Sequence, residues 1–266
     1  MSVENGTVVL SIAAMSDVGV VRKNNEDNFY CNGVWRDDTG QDRIAYHGEA
    51  KVVKQAKIFA VMDGMGGLAN GEIASLVAAR ELDRLCQEEP AGDMLAFLLS
   101  MNDRVCDERR ATGERLGSTA VMARIDQTSV RFSNIGDSRG YLLQASELIR
   151  MSVDHSERGS LERVRENLGI REALPDNMRD GLTQYLGIDP EELIIEPEVS
   201  EEKAFAPGDM VLLSSDGLTS VVDVDTIRDV LTGEAPVAEM AKRLIDLAIE
   251  RGSRDNITVV LVRREG

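Results

Sequence analysis

Asp63, Asp216 and Asp255 lie far apart in the chain, yet each stands where an apolar, strand-like run meets a turn. The runs are Ile58-Phe-Ala-Val-Met-Asp-Gly-Met-Gly-Gly67, Met210-Val-Leu-Leu-Ser-Ser-Asp-Gly217 and Asp255-Asn-Ile-Thr-Val-Val-Leu-Val262. Carboxylates at strand ends are rigidly placed without burying unpaired charge in a core, and they offer the hard oxygen donors that magnesium or manganese prefers. The leading expectation is a hydrolytic metal centre assembled from three remote loops.

Other segments extend that chemistry. Ser16-Asp-Val-Gly-Val-Val-Arg-Lys-Asn-Asn-Glu-Asp27 carries a guanidinium at Arg22, suited to bidentate grip on a phosphoryl group, and carboxylates at Glu26 and Asp27 that can face metal. The glycines after Asp63 let backbone approach a ligand, so Asp63 can bridge two cations while the Gly64 carbonyl takes one further position. Gly64-Met-Gly-Gly-Leu-Ala69 also fits a loose dinucleotide fingerprint. Two successive helices are expected after it, however, not a crossover helix leading to a parallel strand with an acidic end. Gly136-Asp-Ser-Arg-Gly140 matches the serine-hydrolase elbow, but Tyr141-Leu-Leu143 continues as strand and the one later histidine is His155. Asp137 is the more useful residue there, as another metal carboxylate. His47 reads as surface and His155 as a hydrogen-bonding group at the site's edge.

The chain of 266 residues has 47 Asp and Glu against 30 Lys and Arg, a formal net charge of −17. Such a surface argues against a nucleic-acid backbone or an anionic membrane as main partner. It also repels phosphorylated substrates, so an enzyme acting on them needs cationic charge in its cleft. Cys31, Cys86 and Cys106 lack zinc-ligand spacing and suit reduced thiols, which points to the cytoplasm. No apolar run approaches the roughly 20 residues that span a bilayer. With no Pro/Ser-rich linker, a single domain over residues 1–266 is expected.

The elements that must position these residues begin with strands near 8–15, 28–35 and 57–62, with a turn at Asp37-Asp-Thr-Gly40. Helical periodicity then puts Ala74, Ala78, Leu82 and Leu85 on one face, and Met94, Phe97, Leu98, Met101 and Val105 on another. Strands near 118–125, 129–135 and 139–144 are expected as a meander of antiparallel neighbours. Residues 157–181 are charged and helix-permissive and read as a mobile surface excursion. Strands near 193–199 and 209–215 follow, then a helix burying Val237, Met240, Ala241, Leu244 and Ala248 and ending at Gly252, then a strand at 257–263. Strands and helices arriving in blocks favour an α+β sandwich of antiparallel sheets covered by helices.

Taken in order, these segments resemble the metal-dependent protein serine/threonine phosphatases, the protein phosphatase 2C or PPM group, in their bacterial form. The motifs are Arg22 with Asn25-Glu-Asp27, Asp63-Gly-Met-Gly-Gly67 with Gly71-Glu72 and Ala74-Ser75, Gly117-Ser-Thr119 and Asn134-Ile-Gly-Asp-Ser-Arg139. Asp154-His-Ser156, Leu182-Thr-Gln-Tyr-Leu-Gly187, Ser215-Asp-Gly-Leu218 and Asp255-Asn-Ile-Thr258 complete the set, which covers nearly the whole chain. The resemblance implies a four-layer α-β-β-α sandwich, two central antiparallel sheets flanked by helix pairs, with a metal cluster in the cleft at one edge. It implies that Asp63 bridges two manganese or magnesium ions, with the Gly64 carbonyl, Asp216 and Asp255 completing the ligands. Glu26 and Asp27 would hold metal-bound waters, Asn256 would support them, Arg22 would bind the substrate phosphate, and Asp137 would join Asp216 at a third, weaker ion. Residues 157–181 correspond to the family's flap. Three departures stand out: Met65 replaces a histidine proposed as general acid in animal members, Gln184 and Tyr185 replace the usual Arg-Ala pair, and residues 31–57, read as an extended hairpin, are longer than usual.

The expected reaction is direct hydrolysis of phosphoserine or phosphothreonine, by in-line attack of a hydroxide bridging two cations. Phosphoproteins are the expected substrates and a serine/threonine kinase the expected counterpart. The rival readings are a catalytically silent phosphoprotein-binding module and a serine hydrolase at Ser138.

Overall fold

Along the strand-like runs, side chains alternate between two faces, and in this chain both faces are apolar. That pattern is met by burying each strand on both sides. A computed structural model of the chain describes residues 7–37, 42–66, 70–90, 92–170, 174–175 and 181–266. Its first strands are β1 (Val8–Asp17), β2 (Asp27–Cys31), β3 (Arg43–Val52) and β4 (Lys57–Gly66), followed by helices α1 (Gly71–Glu88) and α2 (Met94–Thr112). Next come β5 (Leu116–Ser118), β6 (Ala120–Ile125), β7 (Ser129–Ile135), β8 (Arg139–Gln144), β9 (Glu147–Arg150) and α3 (Glu157–Asn167). The remainder is β10 (Glu198–Val199), β11 (Lys203–Ala204), β12 (Met210–Ser214), α4 (Asp216–Thr219), α5 (Val224–Leu231), α6 (Val237–Glu250) and β13 (Ile257–Arg264).

The strands form two antiparallel sheets, one ordered β3-β1-β13-β12-β8-β9 and the other β10-β7-β6-β4-β2, with β11 added to β7 and β5 to β4. Leu10, Ile12, Phe29, Phe59, Val61, Phe132, Leu213 and Val260 belong to a single buried cluster between the sheets. Their odd or even neighbours face outward. Ala13, Met15, Val259 and Leu261 pack under α4, α5 and α6, while Ile58, Ala60, Met62 and Met122 pack under α1 and α2. This is the four-layer α-β-β-α order. The expected helix faces lie inward, with Ala74, Ala78, Leu82, Leu98 and Met101 fully buried.

Several element boundaries differ from the sequence expectation. The strand near 28–35 stops at Cys31 because Asn32 and Gly33 take positive φ values and turn the chain. Trp35 then bridges back to Tyr30. The segment 31–57 is not an extended hairpin: β3 pairs with β1 along its whole length, in the other sheet. The turn expected at Asp37–Gly40 lies largely outside the described residues. The run near 193–199 keeps only Glu198–Val199 as strand, since Leu193 and Ile194 face solvent. Residues 157–167 form α3, capped by Ser156, whose Oγ accepts from the Gly159 amide; most of 171–180 in the expected excursion lies outside the described residues. The meander is also broken. β6 pairs with β7, but β8 pairs with β12, so the chain crosses between sheets at residues 136–138.

Candidate metal centre

That crossing is one of three connections that build the site. Residues 18–26 pass from β1 in one sheet to β2 in the other, residues 136–138 pass from β7 to β8, and α4 begins where β12 ends. All three bring polar side chains to one end of the inter-sheet layer. There the inward positions stop being apolar: β2 and β4 present Asp27 and Asp63, which are paired in register, while the other sheet presents Ser16, Ser215 and Thr258.

These groups are wired together. Ser215 Oγ donates to Asp27 Oδ2 at 2.8 Å, Ser16 and Thr258 share a hydroxyl contact at 2.7 Å, and Asn25 Nδ2 donates to Ser16 Oγ at 2.9 Å. Thr119 holds Asp63 from both sides of the peptide. Its Oγ1 accepts from the Asp63 amide at 3.1 Å, and its own amide donates to the Asp63 carbonyl at 2.8 Å. Gly217 brings the Asp216 and Asp255 loops into contact, because a Cβ there would sit 1.9 Å from the Asn256 carbonyl oxygen. Gly64 is equally confined, a Cβ on it falling 2.1 Å from the Gly71 oxygen and 2.5 Å from that of Glu26.

The electrostatics of the cluster are those of too many acids for one place. Burial first, then the neighbouring Asp27 and Asp216, push Asp63 well above the usual carboxylate range. Asp27, almost fully buried, is raised to about 7 by desolvation against the opposing pull of the Thr258 and Ser215 hydroxyls. Asp137 is raised to about 7 by burial and then by Asp216 and Asp154. Asp216 is raised by burial and by Asp255, and its carboxyl is close enough to Asp63 to hydrogen-bond to it. Glu26 is raised by burial and by Glu72. Arg22 is the cation at the rim. It pairs with Asp255 at 2.6 Å and also feels Glu26 and Asp63.

A divalent cation fits this donor set. Among the described residues, Asp27 Oδ1 and Asp216 Oδ1 are buried with no hydrogen-bond partner. Buried carboxylate oxygens left bare in a repelling cluster are stabilised by a hard cation. No three of the described acids yet close around one point, and Asp255 is turned toward the guanidinium of Arg22.

Every residue singled out from the sequence as a metal or phosphate group therefore lies at this end, while the serine-elbow reading fails. Ser138 is fully buried, its hydroxyl 2.7 Å from that of Thr119, and β8 follows immediately. His155 is held neutral, its pKa lowered to about 4 by burial, and its Nδ1 accepts from the Gly136 amide at 3.1 Å. Asn256 proves to be a tether: Oδ1 accepts from the Glu26 amide at 2.8 Å, and Nδ2 donates to the carbonyls of Val18 and Asn24 at 2.9 and 3.0 Å. Sequence reasoning missed Arg36. Buried to 2% exposure, it donates to the carbonyls of Asp27 and Asn25 at 2.8 and 2.6 Å and so stiffens the acidic loop. Its position after a turn in a polar stretch gave no signal.

Comparison with known proteins agrees with this geometry. Residues 28–257 match the family model described as protein phosphatase 2C. The serine/threonine protein phosphatase PstP of Mycobacterium tuberculosis is 35% identical over 262 residues, covering 96% of this chain and 45% of PstP. The chain thus spans about half the length of that relative. The serine/threonine phosphatase Stp of Listeria monocytogenes is 31% identical over 263 residues, covering 94% of each protein. The crystal structure of the PstP catalytic domain in complex with two manganese ions superposes with a TM-score of 0.75 at 31% identity, covering 97% of this chain and 100% of that one. Sequence motifs, two-sheet architecture and breadth of match agree, and the chain belongs to the protein phosphatase 2C family.

Proposed function

We propose that this chain is a metal-dependent protein phosphatase hydrolysing phosphoserine and phosphothreonine, with residues 1–266 forming one catalytic domain and about 157–181 its flap. The observation that carries the reading is the cluster of desolvated, mutually repelling carboxylates with two bare oxygens at the end of the sandwich. The names of PstP and Stp, and the manganese in the PstP structure, support it.

Asp63, Asp216, Asp255 and the Gly64 carbonyl would hold two manganese or magnesium ions, with Asp137 and Asp216 serving a third. When bound, such a pair supplies Lewis-acid charge and lowers the pKa of a water to near neutrality, so that its ionised form attacks phosphorus in line. Glu26 and Asp27 orient that water. Arg22, at the exposed rim, exchanges its pairing with Asp255 for the phosphoryl oxygens, matching their geometry with two N–H donors. No side chain acts as nucleophile, and Met65 has no proton to give, so the proton for the leaving seryl oxygen comes from water or another group. A kinase of the same cell, in the cytoplasm, would supply the phosphoprotein. Among the described residues no helix is long and apolar enough to cross a membrane.

The test is manganese-dependent phosphate release from p-nitrophenyl phosphate and from a phosphothreonine peptide. Turnover that vanishes with chelator and returns with manganese is expected. A well-folded protein that binds phosphopeptide without cleaving it would instead be the silent binding module.

A further inference from the structure

A cavity of about 550 Å³ opens beside the carboxylate cluster, lined by Met65, Arg109, Arg115, Gly117, Tyr185 and Glu192 among others. Met65 lies two residues beyond Asp63 on β4, about 7 Å along the strand at ~3.4 Å per residue. It pairs in register with Gly117 on β5, and the Tyr185 ring lies against Gly117, where a Cβ would come within 2.8 Å of Tyr185 Cδ2. Two of the positions at which this chain departs from family habit, Met65 and Tyr185, therefore wall the same cavity.

Its charge is opposite to that of the chain. The protein carries a formal net charge of −17, yet this cavity holds two guanidiniums against the single carboxylate of Glu192. Elsewhere on α2 the arginines are neutralised: Arg110 pairs with Asp107 at 3.0 Å and with Asp189 at 3.2 Å, and Arg104 reaches Glu81 and Asp107. Arg109 instead donates from its guanidinium Nη1 to the Gly187 carbonyl, which anchors the head at the cavity, and forms no ion pair among the described residues. Arg115 is exposed and has neither hydrogen bond nor ion pair among them.

We propose that this cavity is a specificity subsite, taking the carboxylate side chain of an acidic residue two or three positions from the phosphorylated residue of the substrate. The proposal rests on the phosphatase reading above. An extended peptide advances about 3.4 Å per residue, so a phosphoryl group at the acid cluster puts a side chain two residues away over Met65. Arg115 and Arg109 meet its charge, while Tyr185 and Met65 cover its methylenes.

Steady-state kinetics of the full chain with manganese test this. One substrate is p-nitrophenyl phosphate, too small to reach the cavity. The others are phosphothreonine peptides bearing glutamate or alanine two and three positions to either side. The glutamate peptide on one side is expected to be preferred by about fivefold in kcat/KM, seen mainly in KM, the ratio that an exposed pair of about 1 kcal/mol gives. Arg115→Glu should abolish or invert the preference while p-nitrophenyl phosphate turnover stays the same, and Arg115→Lys should keep most of it. Equal rates on glutamate and alanine peptides, or a preference that survives Arg115→Glu, would overturn the subsite alone. Failure to hydrolyse either kind of substrate would overturn the phosphatase reading, and the subsite with it.

Discussion

The middle of the inter-sheet layer and its acidic end are made by the same strands at the same alternating positions. On β4, Phe59 and Val61 fill the core and Asp63 comes next; on β2, Phe29 is core and Asp27 is site; on β13, Val260 gives way to Thr258. One half is apolar and dry, and the other is a set of carboxylates denied water. The difference teaches that the site is a continuation of the core's inward face, with polarity changed and geometry kept. Desolvated acids destabilise the fold, and the packed half holds them in place regardless.

The comparison breaks most completely at Asp63. Asp63→Asn or Asp216→Asn should lower manganese-dependent turnover at least about 10³-fold, while thermal melting shows the metal-free variant as stable as the parent or more so, because a repelling charge is gone. Two positions earlier in the inward series the outcome should reverse. Phe59→Ala should cost about 3–5 kcal/mol in denaturant unfolding, with the specific activity of the remaining folded fraction preserved.

The acidic end was the more legible half in the sequence. Asp63 and Asp216 each follow an apolar strand and precede a glycine, and Asp255 with Asn256 leads into one, a local signature that survives without knowledge of the partners. Arg36 had no such signature, because its value lies in two carbonyls reached across a turn. Strand β3 was legible in principle: Ile44, Tyr46, Ala50 and Val52 alternate with Arg43, His47, Glu49 and Lys51. One solvated face on an edge strand makes the stretch look hydrophilic and masks its period of two. Helix α5 gives little signal for a related reason, being short, with Ile227 and Leu231 alone buried. The crossing at residues 136–138 could not be read at all, since a tight connection between strands looks the same whether it stays in a sheet or leaves it.

The tether at Asn256 sharpens the contrast at intermediate size. Asn256→Ala removes three hydrogen bonds that pin residues 18–26. It should reduce kcat/KM by about 10–100-fold, as loss of an orienting partner does, with circular dichroism unchanged.

Smaller still is the pH effect. Asp27 and Asp137 hold protons up to about pH 7 in the folded chain, whereas unfolded aspartates release theirs near 3.9. The metal-free fold therefore binds more protons across roughly pH 4 to 7, so its stability falls as pH rises through that window and stays low above it. Manganese should raise the melting temperature more at pH 7.5 than at pH 5.5, by about 3 °C or more. An equal shift at both pH values would remove the desolvated acids from the account. Smallest is Ser138→Ala, which should cost about 1 kcal/mol of stability and leave metal-dependent hydrolysis running.

β13 lies between β1 and β12, the first strand of the chain and the last one before it. Until it inserts, a growing or partly unfolded chain exposes two open edges with a gap between them, and Asp255 and Asn256 are not yet delivered to the loop they anchor. Closure of the sheet and completion of the carboxylate cluster are thus coupled, since the strand that fills the gap also carries the last acid to its place.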